Sequence, residues 1–299
     1  MFRVIIFGRI EFKNQRSIHH ARAGYIRNND TKAKNDLIFR PEALFGEELE
    51  EDLDSLHLEF ARTTYDAGAK TLQATLDALG VLMQFAIAGR VDVFVLEAGE
   101  LPQQRVLEVD NDKSIVHAFN AGMEALNEKR YADAVAPLTD AIDGFPRHAW
   151  ALNARGLARY ELGDLDAAEA DFKAARKLYP ALPSPHLGLA KIAHRRGERA
   201  ATIDNCERAM NGSIPHQPGY WISALFKAQV LLDVVEQGGT TSPEERRSYL
   251  SIARVLLERY EAKLRQLGDA KSELYPDRSE LDALRERYEA IAEGAAARA

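Results

Sequence analysis

One recurrence in the middle of the chain constrains the fold more than any other feature. Gly122 returns as Gly156, Ala134 as Ala168, Leu138 as Phe172, Ala141 as Ala175 and Pro146 as Pro180, always at the same step. At that step Gly163 is followed by Gly197 and Ala175 by Ala209. A period of this length, about 34 residues, marks a stack of supersecondary units, each burying its apolar face on the next. The residue types suit pairs of helices. Small side chains at 122/156 and 134/168 let two antiparallel helices approach closely, and Ala141/Ala175 do the same against the following pair. Leu138/Phe172 fill the space between. Pro146 and Pro180 lack an N–H, cannot continue a helix and so close the second helix of each pair.

The pattern resembles the tetratricopeptide repeat: a small residue at position 8, Ala at 20, a large apolar residue at 24, Ala at 27 and Pro at 32. In that frame the repeats are residues 115–148, 149–182 and 183–216. The third carries Ala190, Thr202, Cys206 and Ala209, with Pro215 one place late. The aromatic usual at position 11 is replaced by Ala125 and Arg159 in the first two repeats. The resemblance covers about a third of the 299 residues. It implies a mainly α fold, a helical-hairpin solenoid.

After Gln217 the period breaks. Tyr220 to Gln237 reads as a long helix with Trp221, Leu225, Ala228 and Leu232 on one side, ended by Gly238-Gly239. Ser242-Pro243-Glu244-Glu245 is a helix start, with Ser as N-cap and Pro in the first position. Residues 217–276 therefore read as an elongated, divergent fourth hairpin. Asp277 and Glu280 form another capping-box pair, opening a polar capping helix and tail over 277–299.

Residues 1–113 show no such period and read as a small α+β domain. Strands are expected at Arg3 to Phe12, at Leu37 to Phe39, and as a hairpin of Val91–Val95 with Arg105–Val109. Asp54 to Ala88 reads as one helix through Leu56, Phe60, Leu72, Leu76, Leu79 and Met83. The basic stretch Lys13, Arg16, Arg22, Arg27, Lys32, Lys34 and Arg40 precedes the acidic run Glu47 to Asp52. It reads as a solvated loop balanced by that run. RNA binding through counterion release and a subunit contact are the alternatives.

Composition narrows the chemistry. The net charge is -7, so the chain as a whole does not suit nucleic acid. A single cysteine, Cys206, allows neither an intrachain disulfide nor a clustered-cysteine zinc site, and it falls at a large-apolar repeat position where a buried, inert thiol is expected. No apolar run approaches the roughly 18 residues of a membrane helix, and Val4–Phe7 is too short for a signal-peptide core, so a cytoplasmic protein is expected. Dinucleotide, phosphate-loop, nucleophile-elbow and HExxH motifs are absent, which points away from an enzyme and from a cofactor. His19-His20, read as extended, would point to opposite faces and make poor metal ligands. His186 and His194, eight apart, are read as sharing one helix face.

The resemblance implies that the first helix of each repeat lines a concave face through positions 2, 5, 9, 12 and 13. In repeat 1 these are Val116, Phe119, Met123, Leu126 and Asn127. Repeat 2 gives Trp150, Asn153, Leu157, Tyr160 and Glu161, and repeat 3 gives Ser184, Leu187, Lys191, His194 and Arg195. The residues expected to touch a partner are Phe119, Met123, Trp150, Asn153, Leu157, Tyr160, Lys191, His194 and Arg195. The clamp with which relatives of this family grip the acidic tails of Hsp70 and Hsp90 would fall on Phe119, Met123, Ala154, Ser184 and Gly188, none of which fits. The expected function is a non-enzymatic adaptor or scaffold holding a protein or peptide segment. A self-assembling homo-oligomer is an alternative, as is filling of the groove by the N-terminal domain or the last helix.

Overall fold

The computed structural model describes residues 2–32, 37–45, 56–96, 103–111, 113–239, 242–267 and 275–296. The chain forms two compact units, 1–151 and 152–299, each described by itself. The first unit holds β1 (Phe2–Glu11), α1 (Gln15–Lys32), α2 (Pro41–Phe45), β2 (His57–Ala67), α3 (Ala69–Phe85), β3 (Ala88–Leu96) and β4 (Gln103–Glu108). It continues through the helical hairpin α4 (Ser114–Asn127) and α5 (Tyr131–Gly144) into the start of α6 (Ala149–Glu161).

The sheet is antiparallel in the order β2-β1-β3-β4. Its first strand and its hairpin lie where the sequence places them. β1 is central, bonded to β2 on one side and β3 on the other, and its Val4, Ile6 and Ile10 are fully buried in the core shared with α1 and α3. Gly8 is required here, since a Cβ at this position would lie 2.6 Å from the Arg90 carbonyl oxygen on β3.

Four expectations fail in this region. The helix expected from Asp54 to Ala88 exists only over α3. His57–Ala67 instead pairs with β1, and Leu58 and Phe60 are period-two neighbours on the core side. Leu37–Phe39 is not a strand. It is held by Ile38 N–H donating to Thr75 Oγ1 at 3.0 Å and by the Tyr25 hydroxyl donating to the Phe39 carbonyl at 2.7 Å. Most of the basic stretch is not a loop but α1, whose Ile18, Ala21 and Tyr25 recur at helical spacing and are buried beneath the charges. Lys34 and the acidic run expected to balance the stretch lie outside the described residues. Nor are His19 and His20 extended: both lie on this helix, exposed and about 100° apart around it.

The second unit continues α6 and adds α7 (Leu165–Leu178), α8 (Pro183–Arg195), α9 (Arg199–Asn211), α10 (Pro218–Glu236), α11 (Pro243–Leu267) and α12 (Arg278–Ala296). The hairpins α4–α5, α6–α7 and α8–α9 are of the tetratricopeptide type, and their small residues are inside. Ala134, Ala141, Ala168, Ala175, Ala190 and Ala209 are completely buried. A Cβ on Gly122 would strike the Leu138 side chain at 2.4 Å. One on Gly156 would strike the Phe172 ring at 2.9 Å, and one on Gly188 the same ring at 2.5 Å. Phe172 is bulkier than Leu138 and needs a glycine on both sides.

The turns recur as faithfully as the core. Lys129, Gly163 and Gly197 each take a left-handed conformation, with φ of 59°, 87° and 74°. The next N–H reaches back to the helix in each case: Arg130 to the Ala125 carbonyl at 2.8 Å, Asp164 to Arg159 and Glu198 to Ala193 at 2.9 Å. Arg159, the departure from the usual aromatic, is also explained. It reaches buried Asp171 at 2.8 Å beside the two-pronged contact of Arg155 with the same carboxylate. In the longer fourth hairpin, Ser242 Oγ accepts the Glu245 N–H at 3.1 Å, as its capping sequence requires.

Candidate partner-binding face

The first helix of each hairpin presents the expected residues, though not all of them to solvent. In the first unit Phe119 and Met123 are half-buried on α4, while Val116 and Leu126 are buried. Val116 belongs to the core beneath the sheet, so it cannot line an open face. The Phe119 ring lies 4.6 Å from the imidazole of His148, which in turn lies 6.4 Å from half-buried Trp150.

His148, which sequence reasoning passed over, is the organising residue of this patch. It precedes α6, and its Nδ1 accepts the Ala151 N–H at 3.1 Å, as an N-cap does. Burial holds the imidazole neutral by lowering its pKa to about 4. The signal was available in principle: His148 is the last residue before a helix that follows a proline turn. Histidine is seldom read as a cap.

In the second unit Asn153, Leu157 and Tyr160 follow one another at i, i+4 and i+7 on α6. Leu187, Lys191 and His194 repeat that spacing one period later on α8. The two helices meet where the Arg195 guanidinium lies 4.1 Å from the Tyr160 ring centroid. Tyr160 is largely buried by this packing, and burial raises its pKa. Leu157 is 37% exposed and Arg195 is exposed, while Asn153, Lys191 and His194 are half-buried. His194 packs edge-on against Phe226 of α10 at 5.4 Å, with its Nε2 3.8 Å from Asp233.

His186 does not share this face. It is buried with its Nε2 3.1 Å from the Pro180 carbonyl, because eight residues at about 100° each overshoot two turns of a helix by about 80°. Cys206 is buried as expected, and burial pushes its thiol up to about 12. Among the described residues no group of acidic, histidine or cysteine side chains is placed to hold a metal, and no helix is long and apolar enough to cross a membrane.

No family profile and no curated protein matches the sequence. Among solved structures, MamA is similar at 18% identity over 50% of this chain and 81% of that one, with a TM-score of 0.41. The type IV pilus biogenesis factor PilW is similar at 18% identity over 61% of this chain and 80% of that one, with a TM-score of 0.40. The TPR2B domain of yeast Sti1, in its pHsp70 complex, is similar at 18% identity over 47% of this chain and 96% of that one, with a TM-score of 0.32. The repeat assignment rests on the geometry of the hairpins themselves, not on these partial likenesses.

Proposed function

We propose that this protein is a non-enzymatic adaptor or scaffold that holds a segment of a partner protein against the first helices of its repeats. The observation that carries this reading is the i, i+4, i+7 line on α6, where Asn153 and Leu157 are partly exposed, and its return one period later on α8 as partly exposed Leu187, Lys191 and His194. Leu157 and Lys191 on this line, with Arg195 beside it on α8 and Trp150 at the start of α6, are of the kinds that anchor protein interfaces or fix their register. Phe119 and Met123 form a further contact surface in the first unit, around His148. Asn153 and His194 supply polar groups among the apolar ones, and Tyr160 stiffens Arg195 by lying beneath it.

The test is capture of partners from native lysate by the full chain and by a Trp150→Ala/Tyr160→Ala variant. The variant should lose its partners while retaining helical circular dichroism. An unchanged capture profile from a folded variant would remove the face from consideration.

A further inference from the structure

The stripe does not stop at the third repeat. Along α10, every residue from Tyr220 to Val235 is buried except Ile222, Phe226, Gln229 and Asp233. Those four fall at i, i+4, i+7 and i+11, one narrow line along an otherwise enclosed helix. Ile222, Phe226 and Gln229 follow Leu187, Lys191 and His194 by one period plus one place, matching the one-place delay of Pro215. The His194–Phe226 contact sets the two lines side by side. Within the second unit α6, α8 and α10 thus carry one continuous face.

Its chemistry is uneven in an informative way. Leu157 and Ile222 are 37% and 38% exposed, with half-buried Leu187 and Phe226 completing an apolar strip. Lys191 and Arg195 lie four apart on α8, one turn along the same side. Among the described residues neither forms an ion pair, although Lys191 lies near enough to Glu280 to act on its carboxyl and Glu161 sits beside Tyr160. Asp233, the acidic group on the face itself, is taken by Arg287 at 2.6 Å. The Asn153 carboxamide oxygen lies beneath this face, buried and without a hydrogen-bond partner among the described residues.

We propose that this face takes an extended partner segment pairing a bulky aliphatic or aromatic side chain with a nearby carboxylate. The apolar side chain packs between Leu157, Leu187, Ile222 and Phe226, and the carboxylate accepts hydrogen bonds from Arg195 and Lys191. The inference rests on the adaptor reading and adds the chemistry of what is held.

The test is panning of a random peptide display library against the full chain, followed by fluorescence anisotropy on synthetic versions of the enriched peptides. Enriched sequences should place Asp or Glu close in sequence to Leu, Ile or Phe. Arg195→Glu should weaken binding at least tenfold, Arg195→Lys only a few-fold, and Asp→Asn in the peptide should mimic the former. Peptides that depend on Leu157 and Ile222, tested as Leu157→Asp and Ile222→Asp, but are indifferent to Arg195→Glu would overturn the carboxylate pairing and leave the adaptor reading standing. No enrichment, or enrichment indifferent to all these variants, would overturn both. Concentration-dependent self-association in light scattering, abolished by Arg195→Glu, would assign the face to a second copy and reject the proposal.

Discussion

The N-terminal sheet region and the repeat hairpins are both held by buried aliphatic and aromatic side chains, yet they are built over different sequence distances. In the hairpins the decisive contacts are short: Gly122 against Leu138, Gly156 against Phe172 and Gly188 against Phe172 each join two helices that are consecutive in the chain. In the sheet region, β1 pairs with β2 only after α1 and α2 have intervened, and with β3 only after α3 as well. Ile38 is likewise held by Thr75, on the far side of β2. Contacts that close over one turn and a helix can be repeated as a unit, and each copy must restate the same small residues. Contacts between distant strands are made once, and nothing nearby in the chain restates them.

That contrast can be broken most violently at the repeated alanines. Ala168→Arg should cost more than about 4 kcal/mol and unfold the second unit, because a charge would enter a fully buried helix–helix contact. Circular dichroism melting would read this directly, and a near-native melt would show that the repeat logic is wrong. Phe172→Ala should cost about 3–5 kcal/mol, near the upper end, since the glycines flanking its ring have no side chains to collapse into the space. Urea unfolding would give the value, and a loss below about 1 kcal/mol would contradict the packing.

His148 has its pKa lowered by burial to about 4, against an ordinary value near 6.5. The folded state keeps the ring neutral while the unfolded chain takes up a proton below pH 6.5. Its contribution is therefore fully present above pH 6.5 and is lost as pH falls toward 4. The loss should be of order 3 kcal/mol. His148→Asn, which can still cap α6, should flatten urea midpoints over that window, and an identical pH slope would assign the effect elsewhere. The smallest prediction sharpens the repeat comparison. Lys129 occupies the left-handed turn position that Gly163 and Gly197 fill in the next two repeats. Lys129→Gly should stabilise by up to about 1 kcal/mol, whereas Gly163→Lys should destabilise by a similar amount; paired thermal melts would check both signs.

These distances also explain what could be read from the residues alone. The hairpins, their turns and the caps at Ser242 and Asp277 were legible because each signal and its partner lie within one period. β2 was not, since Leu56 and Phe60 are four apart and imitate a helix, while the pairing with β1 that decides the matter lies beyond two intervening helices. The charges of α1 hid an apolar line of Ile18, Ala21 and Tyr25 that gains meaning only against the sheet core. On the partner face, the residues at positions 5, 9 and 12 of repeats 2 and 3 could be named from spacing. Ile222 and Phe226 could not, because one residue inserted before α10 shifts the frame. His186 was misplaced by treating an eight-residue separation as a whole number of turns.

One contrast stands at the centre: the recurring small residues face inward, while Leu157 on α6 and Ile222 on α10 reach solvent. The chain's single cysteine makes this measurable by thiol labelling of single-cysteine additions in the native state, with buried Cys206 as the internal silent control. The account predicts that Ala168→Cys and Ala175→Cys stay unlabelled until urea unfolds the protein, while Leu157→Cys and Ile222→Cys react at rates approaching those of a free thiol. Native-state labelling of the two alanine sites as fast as that at 157 and 222 would contradict it.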